Sequence, residues 1–107
     1  MTNTDGFDTC PTDVVDAPVE RVWELLTNPS LLHWVDAKLL EAPARSLTAG
    51  DRLRFAASFG LRVSWTVRAL DPPRLLALDV RLPFGMANQE TVLLSRLDAE
   101  RCRVTFN

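Results

Sequence analysis

The stretch that decides the fold is Asp16-Ala17-Pro18-Val19-Glu20-Arg21-Val22-Trp23-Glu24-Leu25-Leu26, followed closely by Asn28-Pro29. Pro18 suits the first turn of a helix, where its missing N–H leaves no hydrogen bond unmade. Glu20 and Glu24 lie toward the positive end of the helix dipole. Val19, Val22, Trp23 and Leu26 recur at spacings of three and four and so draw one apolar stripe along the helix. Asn28-Pro29 ends that helix, and Asn28 can cap a second short one carrying Leu31, Leu32, Trp34 and Val35. The spacing therefore predicts two short helices within residues 18–36, meeting at an angle near 27–29.

On either side the period is two. Phe7 to Val15 reads as extended chain, with Pro11 at a bulge or an edge. Beyond Lys38, Leu53, Phe55, Ala57 and Phe59 alternate with Arg52, Arg54 and Ser58, and Gly60 breaks the run. Leu61, Val63, Trp65 and Val67 then alternate with Arg62, Ser64, Thr66 and Arg68. Leu76, Leu78, Val80 and Leu82 do the same with Ala77, Asp79 and Arg81. Gly50-Asp51, Asp71-Pro72-Pro73 and Pro83-Phe84-Gly85 mark turns, and Asp98-Ala99-Glu100 joins strands at 89–97 and 101–106 as a hairpin. A strand, two helices and a run of half-apolar strands predict an α+β fold over 1–107 as a single domain. Its core would be an antiparallel sheet of about seven strands with one apolar face.

The whole chain has 107 residues, 47% hydrophobic and 24% charged, which is globular composition and excludes a disordered or collagen-like polymer. Net charge is −2, and the eleven Arg and one Lys are scattered, so composition offers no broad case for nucleic acid or an anionic membrane. Met1 to Gly6 lacks the basic start and apolar run of a secretory signal. No segment approaches the roughly 18 apolar residues of a membrane span. The expected location is the cytoplasm, with Cys10 and Cys102 reduced. One His and two Cys cannot make a zinc site alone, and no cofactor motif occurs.

The Asp16–Leu26 stretch, Asn28-Pro29 with Leu32 and Trp34, Leu47-Thr48-Ala49-Gly50-Asp51-Arg52 and Asp71-Pro72-Pro73-Arg74 together resemble the START and polyketide-cyclase-like (SRPBCC) superfamily over about residues 8–107. The resemblance implies a helix-grip fold, in which a curved sheet holds a long carboxy-terminal helix. No segment for that helix follows Thr105-Phe106-Asn107 in this sequence. It further implies an apolar cavity that holds a small hydrophobic molecule, lipid-like or polyketide-like. In some relatives that cavity is the site of a cyclase or dehydratase reaction. The first and last strands are neighbours in such a fold, so Cys10 and Cys102 could approach one another.

The expected ligand-binding surface comprises Trp34, Phe55, Phe59, Val63, Trp65, Leu78 and Val80, the large apolar residues of the helix region and the inner strand faces. For catalysis the candidates are His33, the only histidine, and Ser95, with no patterned carboxylate or nucleophile motif beside either. Binding is the expected function, and an enzyme of the cyclase or dehydratase kind is the alternative. About 19 helical residues are few for so large an apolar face. Self-association, or a partner across the concave side, is therefore a further expectation.

Overall fold

The computed structural model describes residues 12–106, without the side chains of His33 and Trp34. β1 (Thr12–Val15) leads into α1 (Val19–Thr27) and a six-residue 3₁₀ segment, Pro29–Trp34. Six strands follow: β2 (Lys38–Glu41), β3 (Arg52–Ala56), β4 (Arg62–Asp71), β5 (Leu75–Arg81), β6 (Ala87–Asp98) and β7 (Arg101–Phe106). They form one curved antiparallel sheet in the order β1-β7-β6-β5-β4-β3-β2, a helix-grip-like α+β arrangement. The long carboxy-terminal helix is not among these elements.

α1 forms as its stripe dictates. Val19, Val22 and Leu26 are buried against the sheet, and Glu20 occupies the first turn. Thr27 Oγ1 donates to the Trp23 carbonyl at 2.8 Å, and the Asn28 N–H closes the last turn onto Glu24. Asn28 Oδ1 then accepts from the Ser30 N–H and hydroxyl, which starts the next segment. That segment, the second of the two short helices, is 3₁₀. Leu32 departs from helical geometry (φ −82°, ψ 16°), and the segment ends after six residues, at the extended Val35.

Register places the apolar rows on one side. Leu53 lies opposite Trp65, Phe55 opposite Val63, Trp65 opposite Val80 and Val67 opposite Leu78. Leu76 faces Val92, and Leu94 faces Val104. Phe55, Leu53, Leu76, Val67 and Cys102 are the largest fully buried side chains. The helices do not cover this face alone. Leu47, from the loop before β3, is buried in the same core, and its N–H donates to the Thr27 carbonyl at 2.8 Å.

One inner-face assignment is corrected. Phe59 is fully exposed, because β3 stops at Ala56 and Ser58-Phe59-Gly60 is itself the turn into β4. The Ala57 N–H bonds the Leu61 carbonyl at 2.7 Å, which takes Phe59 out of the pleat. Cys102 is a buried free thiol held above its ordinary pKa by burial, whereas Cys10 lies outside the described residues along with Pro11.

The loop before β3 is tied by Asp51. Its carboxylate accepts both Arg45 guanidinium nitrogens, at 2.7 and 3.0 Å, and the Thr48 N–H at 2.7 Å. Arg45 and the Thr48 amide hold Asp51 well below its ordinary value of 3.8. A depressed carboxylate stabilises the fold fully at neutral pH, and that contribution falls away as pH drops below the unfolded value. Asp51→Asn is therefore expected to lower the urea midpoint at pH 7. The gap to wild type should start to close below about pH 4. A gap that stays constant through the acid limb would show that the ion pair is not its source.

Candidate functional site

The inner face is not filled everywhere. Between α1, the chain at Val35-Asp36 and the middle of the sheet lies a cavity of about 230 Å³. Its floor is Trp65 from β4, Leu76 and Leu78 from β5, and Val92 from β6. Leu26 and Val35 form one wall, and Phe106 of β7 forms another. Asp36 and Glu90 supply its charged groups, and both side chains reach solvent at its rim. A second, more open groove lies on the far side of Phe106 and Leu26, over Val15, Val22, Leu25 and Val104 with Asp13 at its edge. Wider hollows at the β6–β7 turn and beside Asp79 and Gln89 are polar and have no such floor.

Local sequence explains the placement. Glu90, Val92, Leu94 and Arg96 occupy alternate positions of β6 and so share the inner side. Arg96 uses that position to pair with Glu20 on α1, which holds the Glu20 carboxyl below the usual carboxylate range. Glu90 sits opposite Leu78, three residues from the start of β6, and receives a 3.4 Å contact from the Asn88 amide. Trp65 packs its ring against Phe55, with centroids 4.6 Å apart and a tilt of 52°. Phe55 is thereby the buried support, and Trp65, half-exposed above it, is the wall.

The expected site residues divide. Trp65 and Leu78 line the cavity, whereas Phe55 and Val80 are buried in the core, with Val63 packed against it. Phe59, fully exposed at the β3–β4 turn, does not line the cavity. Ser95 is exposed on the outer side of β6, one position out of phase with Leu94 and Arg96, so no cavity atom is within its reach. The side chains of His33 and Trp34 lie outside the described residues. Leu26, Val35, Asp36, Glu90, Val92 and Phe106 also line the cavity and were not among the binding residues expected from the sequence. The available signal was phase: Glu90 and Val92 fall in step with Leu94, but a charged residue in an apolar row reads as an interruption.

No group of His, Cys, Asp and Glu suited to a metal ion occurs among the described residues, and no helix there is long and apolar enough to cross a membrane.

A curved antiparallel sheet packed on one helix, with an apolar cavity between them, is a helix-grip-like arrangement. The chain belongs to the family described as polyketide cyclase / dehydrase and lipid transport, whose sequence profile matches residues 12–107. Among solved structures it is similar to CalU16 from Micromonospora echinospora (TM-score 0.65, 20% identity), covering 89% of this chain and 53% of that one. It is similar to DynU16, a putative protein in the dynemicin biosynthetic locus (TM-score 0.70, 21% identity), covering 92% of this chain and 36% of that one. The Aha1 dimer from Colwellia psychrerythraea shares the fold at TM-score 0.72 and 14% identity, with 92% and 73% covered. The chain thus spans about half the length of CalU16 and less of DynU16. No curated protein matches it.

Proposed function

We propose that this chain binds a small hydrophobic molecule, lipid-like or polyketide-like, in the cavity between α1 and the sheet. The observation that carries the reading is a cavity with an apolar floor from three strands and a polar rim reduced to two carboxylates. At about 230 Å³ it is small for a ligand pocket and suits a short chain or a single ring system. Its rim also sets a preference. Asp36 and Glu90 accept hydrogen bonds and attract cations, and no basic side chain lines the cavity to receive an anion. A hydroxyl- or amine-bearing end therefore fits the mouth better than a carboxylate does.

Equilibrium dialysis with decylamine, decanol and decanoate tests both parts. Decanol and decylamine are expected to bind, and decanoate to bind at least about fivefold more weakly than the amine, in keeping with partly exposed charges. Val35→Trp, which fills the cavity from its wall, should weaken all three. If none of the three binds, the cavity reading fails. Catalysis of the cyclase or dehydratase kind finds less support. Ser95 faces away, and the titratable groups at the cavity rim are two solvent-exposed carboxylates.

A further inference from the structure

The opposite use of aromatic side chains occurs at one end of the sheet. Ser58-Phe59-Gly60 and Pro83-Phe84-Gly85 are two turns of the same design, closing the β3–β4 and β5–β6 hairpins. Because β4 and β5 are adjacent and antiparallel, both turns lie at the same end. Each holds its phenylalanine in the left-handed region, with φ 62° at Phe59 and 67° at Phe84, ahead of a left-handed glycine. A bulky side chain there is a steric outlier. Burial would ordinarily offset that strain, yet Phe59 is 100% exposed and Phe84 89%. Leu61 and Met86, which close the two turns, are exposed beside them.

Charge gathers behind these tips although it is scattered in the sequence. Lys38 lies opposite Ala56, and Ala56 opposite Arg62, so both cations flank the first turn on the outer face. Arg81, opposite Ser64, stands diagonally across from Arg62 at the foot of the second turn. All three are exposed, and no carboxylate among the described residues pairs with any of them. The nearest acids on that face are already engaged, Glu41 by Arg54 and Asp79 by Arg68. Asp36 and Glu90 lie at the same end but on the inner face, at the mouth of the cavity, so the outer face there carries the cations without them.

We propose that this end of the sheet docks on an anionic lipid surface, with Phe59 and Phe84 entering the interfacial layer and Lys38, Arg62 and Arg81 facing the headgroups. Paired aromatic fingers with cations behind them match the depth profile of a membrane surface, apolar inside and anionic at the plane. Three cations are too few to follow a nucleic-acid backbone. Aromatic tips at two turns, held out from the sheet with cations behind them, fit a fluid lipid layer better than the packed apolar core of a protein interface. The proposal does not depend on what the cavity holds.

Co-sedimentation with vesicles tests it. The full chain is expected to bind phosphatidylcholine vesicles containing about one-third phosphatidylserine, and to bind pure phosphatidylcholine at least tenfold more weakly. Arg62→Gln with Arg81→Gln should weaken binding on the order of 30-fold, since each cation near the surface contributes about a factor of five. Phe59→Asn with Phe84→Asn should weaken it about tenfold by removing both apolar tips. Asparagine tolerates the left-handed backbone, so these turns keep their shape, and a far-ultraviolet spectrum like that of wild type confirms it. If that spectrum changes, Phe59→Gly with Phe84→Gly removes the same rings. Wild type that stays in the supernatant with phosphatidylserine vesicles, or tip variants that bind as well as wild type, would overturn the proposal. So would pelleting that is equally complete without vesicles.

Discussion

Phe55→Ala is expected to lower the free energy of unfolding by about 4 kcal/mol, measured by urea denaturation with the slope unchanged. Phe55 is 1% exposed and sits on β3 between Leu39 of β2 and Val63 of β4. Its ring carries Trp65, so truncation removes both its own burial and the support of the cavity wall. The site cannot collapse to fill the void. Three backbones are fixed around it by ladder hydrogen bonds, and Leu53 on the same strand is itself fully buried. A residual cavity then adds its own cost to the lost transfer energy. A loss below about 1 kcal/mol would contradict the core assignment of this residue.

The comparison with Phe59 shows what sequence periodicity carries and where it ends. Both phenylalanines fall on the same phase of one alternating run, Leu53, Phe55, Ala57, Phe59. Period two locates a face only while the chain remains a strand, and it cannot say which residue is the last one in the pleat. Gly60 signalled a turn, but the turn starts two residues earlier and takes Phe59 with it. The rows 63–67 and 76–80 were legible because they lie within strands paired on both sides. The Pro18 helix start and its stripe were legible for a local reason, since spacing and capping act within a few residues. By contrast, Leu47 has no periodic neighbour, and its burial follows from a long-range hydrogen bond to Thr27.

Two residues of the candidate site's floor were legible in the sequence, and its rim was not. Trp65 and Leu78 announce themselves as large apolar residues in phase. Asp36 and Glu90 do not, because whether a carboxylate opens into a cavity or onto bulk water depends on which strands lie beside it. The same holds for Lys38, Arg62 and Arg81, far apart in the chain and gathered by antiparallel register. Charge counted along the sequence misses both arrangements. The two faces of this sheet thereby differ in chemistry: an apolar inner side with acids at the mouth of its cavity, and an outer side with unpaired cations near its tip.

Trp65→Ala is expected to cost about 2–3 kcal/mol, less than Phe55→Ala although the side chain is larger. The difference follows from position. Trp65 is only half-buried, and one side of its ring already borders the cavity, so truncation removes fewer contacts than a filled site would lose. The same change should widen the cavity, because no neighbour on Leu78 or Val92 can follow the missing indole across the sheet. Ligand preference is then expected to shift from linear decanol toward a bulkier ring-bearing alcohol such as adamantanol, by about tenfold if one ring face is gained as buried surface. Trp65→Phe should keep most of the stability and little of the shift. Dialysis with the two alcohols, run beside urea denaturation, separates the contributions. A cost near that of Phe55→Ala with no change in preference would make Trp65 a core residue and remove it from the wall. A shift in preference with a cost of about 2–3 kcal/mol places the indole where ligand and protein core meet.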